Sequence, residues 1–209
     1  MRLKHVKGAD EIIKQGVYYV ENYKEYKGKW CEFFGNNKPV YIEIGMGKGD
    51  FIIENALRYP DINFIGIEKF DSVIVRAVQK SNELDINNLK LIRMDAMEID
   101  EVFDKEIDKI YLNFSDPWPK ERHAKRRLTS PIFLKKYDSV FKGKNIIEMK
   151  TDNNPLFEYS LESLKEYGYE FELISRDLYS EDITNNIATE YETKFVNKGI
   201  KINKFIAKK

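Results

Sequence analysis

Short apolar runs alternate along this chain with stretches whose apolar residues recur every three or four positions, a pattern that predicts strands and helices taken in turn. Val40-Tyr41-Ile42-Glu43-Ile44 is a β-rich run that ends in glycines. After it, Phe51, Ile52, Ala56 and Leu57 fall at helical spacing, and Pro60 stops that helix. Residues 62–68 read as a second strand and 72–84 as a second helix, with Val73, Ala77, Val78 and Leu84 turned inward. Residues 89–94 give a third strand, then a short acidic helix near Met97 to Phe103. A fourth strand covers 107–114, and Ser130-Pro131 has the form of an N-cap and first helical residue for a helix to about Phe141. Residues 145–150 make a fifth strand, Asn154-Pro155 opens a helix to about Tyr167, and 169–178 and 200–207 read as late strands forming an antiparallel edge. This order predicts an α/β fold, a mainly parallel sheet with helices on both faces and an antiparallel C-terminal strand. No repeat, linker or low-complexity segment interrupts it, so residues 1–209 read as one domain in which 1–39 form an N-terminal extension.

Charge changes the picture through its placement. Thirty-five basic residues balance thirty-five acidic ones, which argues against a histone-like binder but says nothing of distribution. From Lys120 to Lys144 there are nine Lys/Arg against Glu121 and Asp138, Arg2, Lys4, His5 and Lys7 begin the chain, and five lysines from Lys198 to Lys209 end it without an acid. One basic face is therefore expected. Cys31 is alone and there are two histidines without metal-ligand spacing, so neither a disulfide nor a metal site is expected. No apolar run approaches the roughly 20 residues of a membrane span and no signal peptide heads the chain, so the expectation is a soluble, cytoplasmic protein without a membrane partner.

In open α/β sheets ligands bind beyond the C-terminal ends of the strands, and three motifs fall there. Glu43-Ile44-Gly45-Met46-Gly47-Lys48-Gly49 ends the first strand; its glycines allow a tight turn and close approach to a ligand, in a spacing that is neither the dinucleotide fingerprint nor a P-loop. Glu68 ends the second strand, where a carboxylate can accept ribose hydroxyls, and Asp95-Ala96 follows the third, where a carboxylate can reach an adenine amino group. The alternatives are a Glu68–Lys69 surface pair and an Asp95 helix cap. Taken together, three such groups at successive strand ends form a nucleoside-shaped constellation, and Glu43 can face the cationic end of a sulfonium cofactor. After the fourth strand comes Phe114-Ser115-Asp116-Pro117-Trp118-Pro119-Lys120, in which two prolines stiffen a carboxylate-bearing loop that runs into Arg122, His123, Lys125, Arg126 and Arg127.

These residues resemble a class I S-adenosylmethionine-dependent methyltransferase. More narrowly, Phe-Ser-Asp-Pro-Trp-Pro-Lys with Arg-His-x-Lys-Arg-Arg resembles the bacterial tRNA (guanine-N7-)-methyltransferases of the TrmB type, as do Lys150-Thr151-Asp152-Asn153 and Thr189-Glu190-Tyr191-Glu192. The likeness runs from about Val40 to Phe205. It implies a Rossmann-like seven-stranded sheet, S-adenosyl-L-methionine as cofactor, and methyl transfer to N7 of a guanine in the tRNA variable loop. Cofactor contacts would come from Glu43, Gly45, Gly47, Gly49, Glu68, Asp95, Ala96 and Asp116. Contacts to tRNA would come from Lys120, Arg122, His123, Lys125, Arg126, Arg127, Asp152, Thr189, Glu190, Tyr191 and Glu192, with Asp116 as the catalytic residue.

Guanine N7 carries an in-plane lone pair and no proton, so it needs no nucleophilic cysteine or metal, and Asp116 would orient the base and face its developing positive charge. His123 would either touch RNA or orient Asp116, and Thr-x-x-Glu at 189–192 is also a capping box for a helix ending near Gly199. An exocyclic-amine methyltransferase, whose loop has adjacent prolines, and a non-catalytic RNA-binding module on the same fold are the competing readings. The extension 1–39 would be a mobile lid or an RNA-contacting arm, and the chain a monomer or homodimer.

Overall fold

The structure, a computed structural model, describes residues 6–181 and 186–209; Arg2, Lys4 and His5 lie outside the described residues. Seven strands, β1 (Val40–Ile44), β2 (Asn63–Glu68), β3 (Leu89–Arg93), β4 (Ile107–Asn113), β5 (Phe141–Thr151), β6 (Glu170–Ser175) and β7 (Asn203–Lys208), form one sheet in the order β3-β2-β1-β4-β5-β7-β6. The first five pair in parallel, while β7 is antiparallel to both of its neighbours. The two late strands form the expected antiparallel edge of the sheet, and within it β7, the later strand, inserts between β5 and β6, which leaves β6 outermost. Strand burial explains the insertion, because Phe205 and Ala207 of β7 lie in the core.

Helices cover both faces. On one face, α1 (Ala9–Lys14), α3 (Asp50–Arg58) and α4 (Asp71–Ser81) bury Ile13, Ile52 and Ile74 against Phe64 and Leu91 of the sheet. The other face carries α2 (Trp30–Phe34), α5 (Ile99–Val102), α6 (Pro131–Val140) and α7 (Asn154–Glu166), which pack Trp30, Leu134 and Phe157 onto Ile42, Ile110 and Ile147. A last helix, α8 (Glu190–Val196), precedes β7. Two expected core positions turn outward, since Leu57 is 48% and Leu84 38% exposed. Ile53 and Ile74 take the inward places instead. Ser130 precedes α6 as expected, but its hydroxyl donates to the Lys125 carbonyl at 3.1 Å and does not cap the helix.

Residues 6–39 lie against the sheet. Val20 N–H donates to the Leu91 carbonyl at 2.9 Å, and Leu91 N–H to Tyr18, beside a parallel bridge between Tyr19 and Leu91. The carboxylate of Glu106, just ahead of β4, accepts from the backbone N–H groups of Gly28 and Trp30, the second of which is an otherwise orphaned donor at the start of α2. Burial raises the Glu106 pKa, against those same hydrogen bonds.

Candidate active site

The winding of the sheet reverses between β1 and β4, and at such a switch point the loops leaving the two strands diverge and open a crevice. A cleft of about 800 Å³ lies there. Of the residues expected at the site, it gathers Glu43, Gly45, Gly47, Glu68, Asp95, Ala96, Asp116, Arg126, Thr189, Glu190 and Tyr191. Gly49, Lys120, Arg122, His123, Lys125, Arg127, Asp152 and Glu192 are not among its lining residues.

The turn after β1 forms one wall. A Cβ added at Gly45 or Gly47 would meet no protein atom within 4 Å, so the space above the turn is open to a ligand. Gly49 serves differently: it is buried at φ +82°, and a Cβ there would stand 2.7 Å from that of Ala77. Its expected cofactor contact is replaced by close packing of α3 on α4.

Glu43 is 1% exposed, and its Oε1 accepts from Asn113 Nδ2 at 2.9 Å. Burial drives its pKa up to about 7, against the Asn113 hydrogen bond and the charge of Lys150. Glu43 Oε2 and Asn113 Oδ1 are buried without a hydrogen-bond partner. Two orphaned acceptors beside a cleft are costly unless a donor arrives, and an ammonium group fits that need. Asn113 was not anticipated from the sequence; the available signal was a lone amide ending an otherwise apolar half-strand.

Glu68 is held by three backbone donors: Oε1 accepts from Lys69 and Phe70, and Oε2 accepts from Gly47 at 3.1 Å. Oε2 therefore keeps acceptor capacity for a hydroxyl, whereas Oε1 is filled. Asp95 carries both features weighed from sequence, because Oδ1 caps Met97 N–H and Oδ2 pairs with Lys69 at 2.6 Å. Burial works to raise its pKa, but the Lys69 ammonium and the Met97 hydrogen bond outweigh burial and lower it. The Lys69 partner is thus Asp95, not Glu68.

The loop after β4 forms the opposite wall. Phe114 and Trp118 adopt positive φ, +50° and +43°, a strained region for bulky side chains. Phe114 is fixed by its N–H donating to the Lys150 carbonyl at 2.8 Å and by its ring lying 5.0 Å from that of Tyr191, which stacks on Phe195. Between the two strained residues, Asp116 is exposed to the cleft and accepts no hydrogen bond among the described residues. The basic segment that follows is a 3-10 turn, Glu121–Arg126, on which Lys120, Arg122, Lys125 and Arg126 are exposed. Arg126 lies over the Trp118 indole at 4.8 Å, and the His123 ring meets the edge of the same indole at 5.8 Å with no hydrogen bond to Asp116. Arg127 turns inward and donates to the Pro117 and Trp118 carbonyls.

Behind this wall, Lys150 and Glu192 are closed off from solvent and paired at 2.5 Å. Glu192 also accepts from Tyr179, Asn186 and Thr189 N–H, so each carboxylate oxygen has two donors. Its expected tRNA contact is corrected on that ground: no acceptor site is left. Thr189 completes the capping box by accepting from Glu192 N–H at 2.9 Å, and Glu190 bridges to Lys48 of the glycine turn. Asp152 accepts from the Tyr191 hydroxyl at 3.3 Å. Lys48 was also missed from sequence.

A sheet in this order, with a glycine turn after its first strand and acids after its second and third, is that of the class I methyltransferases. A solved antibiotic-related methyltransferase superposes with a TM-score of 0.65 at 18% identity, covering 93% of this chain and 98% of that one. The profile of a family described as "Putative methyltransferase" matches residues 37–205. A tRNA (guanine-N(7)-)-methyltransferase of Bacillus licheniformis is 51% identical over 201 residues, 95% of this chain and 94% of that protein. One from Lachnoclostridium phytofermentans is 48% identical over 209 residues, 99% and 98% of the two chains. The chain belongs to the tRNA (guanine-N(7)-)-methyltransferase family. Among the described residues no helix is long and apolar enough to cross a membrane, and no three His, Cys, Asp or Glu side chains converge as metal ligands.

Proposed function

We propose that this protein methylates N7 of a guanine in the variable loop of tRNA, using S-adenosyl-L-methionine. The observation that carries the reading is the cleft itself: Asp116, without a hydrogen-bond partner among the described residues, faces the same space as the orphaned acceptors of Glu43 and Asn113. When bound, the cofactor supplies a methyl group made electrophilic by a sulfonium centre. Glu43 Oε2 and Asn113 Oδ1 would receive its ammonium group, Glu68 Oε2 a ribose hydroxyl, and the open turn at Gly45 and Gly47 its backbone.

The residues then have little acid–base work to do, because guanine N7 has no proton to lose. Positioning provides most of the advantage, on the order of 7–11 kcal/mol for well-oriented reactants. Asp116 orients the base through its N1–H and amino group and offsets the positive charge that grows on the purine. Arg126, exposed beside Trp118, and Lys120, Arg122 and Lys125 on the outer side of the 3-10 turn hold phosphates as point or forked charges. Tyr191, whose ring meets that of Phe114 in the loop, and Glu190, tied to the glycine turn, fix α8 across the cleft.

The test is incubation of unmodified tRNA with labelled S-adenosylmethionine, followed by borohydride and aniline, which cleave at 7-methylguanine. Label with a cut in the variable loop is the expected result. Label retained without that cut would place the methyl elsewhere, as on an exocyclic amine.

A further inference from the structure

We propose that Arg127 is a positioning residue for the loop that carries Asp116, whereas its neighbour Arg126 faces the RNA; the inference rests on the function proposed above. Arg127 Nε donates to the Pro117 carbonyl and Nη2 to the Trp118 carbonyl, each at 3.1 Å. These are the two residues that follow Asp116, and Trp118 is, with Phe114, one of the two residues of this loop held at positive φ. A bulky residue keeps that conformation only where its surroundings compel it. The planar fork of a guanidinium compels it here, since it fixes two carbonyls at once in a set direction.

The fork has its own support. The Arg127 guanidinium lies 4.2 Å from the centre of the Tyr159 ring, on α7. Two residues along, Thr129 and Ser160 share a hydroxyl hydrogen bond at 2.8 Å, and the Ser163 hydroxyl donates to the Thr129 carbonyl at 2.7 Å. A rigid helix of the sheet layer is thus connected through one arginine to the backbone next to the reacting group. Arg126 shows the reverse arrangement: it is exposed, lines the cleft, and makes no hydrogen bond to protein among the described residues. Charge counting in the sequence cannot separate the two, because both are cations in one run.

The experiment compares Arg127→Lys, Arg127→Ala, Arg126→Ala and Tyr159→Leu for kcat, for tRNA affinity at several salt concentrations, and for thermal melting. Lysine retains the charge but cannot grip both carbonyls. Arg127→Lys should therefore lower kcat by about tenfold to a hundredfold, the scale of a small misplacement near the reacting atoms, with tRNA affinity and its salt dependence unchanged. Arg126→Ala should instead flatten the plot of log affinity against log salt by about 0.7–0.9, the loss of one phosphate contact. Tyr159→Leu removes the ring that supports the guanidinium and leaves Arg127 itself in place, so it should lower kcat in the same direction as Arg127→Lys; it keeps the test valid should the Arg127 variants fail to fold.

An Arg127→Lys protein with wild-type kcat would overturn the proposal. So would a salt slope flattened by Arg127→Ala to the degree seen for Arg126→Ala, or a Tyr159→Leu protein with unaltered kcat. Failure of the wild-type protein to methylate tRNA is a separate result, which removes the function itself.

Discussion

Lys150 at the end of β5 and Glu192 in the first turn of α8 form a fully buried ion pair 2.5 Å long, which joins two residues forty-two positions apart in the chain. Burial pushes the Lys150 pKa down, and Glu192 opposes it. The pair sits behind the strained Phe114, whose N–H is bonded to the carbonyl of the same Lys150.

Breaking that pair from one side leaves an unpaired charge in the interior. Glu192→Ala should cost about 3–5 kcal/mol in denaturant unfolding, whereas Thr189→Ala, which removes only the cap, should cost about 1 kcal/mol. Replacing both partners with apolar residues, Lys150→Met with Glu192→Leu, should recover part of the loss. Equal costs for the two single alanine variants would show that the carboxylate acts as a cap alone.

As the proposed acceptor of the cofactor's ammonium group, Glu43 should make both cofactor affinity and stability depend on pH. Its folded-state pKa of about 7 lies above its ordinary 4.5, so its contribution to stability is fully present below about pH 4.5 and is lost as pH rises through 7. Glu43→Gln should accordingly be more stable than wild type at pH 8, by roughly 2–3 kcal/mol in the absence of ligand. Capture of an ammonium needs the ionised carboxylate, so affinity for S-adenosylhomocysteine should rise about tenfold from pH 6 to pH 8 in the wild type and stay flat in the variant. Calorimetry at the two pH values measures this.

Gly49→Ala should destabilise by at least 2 kcal/mol through positive φ and the Ala77 contact together. Adding Ala77→Gly should relieve the contact part and leave the conformational part. Strict additivity of the two substitutions in a double-mutant cycle would rule out the contact.

Asp116→Asn should reduce kcat by about a hundredfold to a thousandfold with an unchanged melting temperature, because the side chain is exposed and makes no hydrogen bond among the described residues. A loss of melting temperature parallel to the loss of rate would indicate a structural role.

Strand ends were readable in the sequence wherever chemistry and periodicity coincided. The run 40–44 followed by glycines gave both β1 and the turn, and the acids at 68 and 95 fell on the ends of β2 and β3. What stayed hidden was direction. Leu57 and Leu84 match helical spacing yet face solvent: Leu57 lies in the last turn of α3, and Leu84 lies beyond Ser81, where α4 has already ended. Arg127 and Glu192 carry the charges expected of substrate contacts but spend their hydrogen bonds on carbonyls and on a buried lysine. Whether a charge faces inward or outward is fixed by groups distant in sequence, such as Tyr159 and Lys150, that no local pattern reveals. Gly49 shows the same limit, because its reason is a neighbouring helix twenty-eight positions along.

The place of β7 between β5 and β6 also sets an order of assembly. During synthesis β5 has one partner, β4, and an open edge, and β6 has no strand to pair with until residues 203–208 exist. The half of the sheet that supports Lys150 and α8 therefore closes only once residues 203–208 have been made. That closure is a single late, long-range pairing step, in which β7 meets both of its neighbours at once.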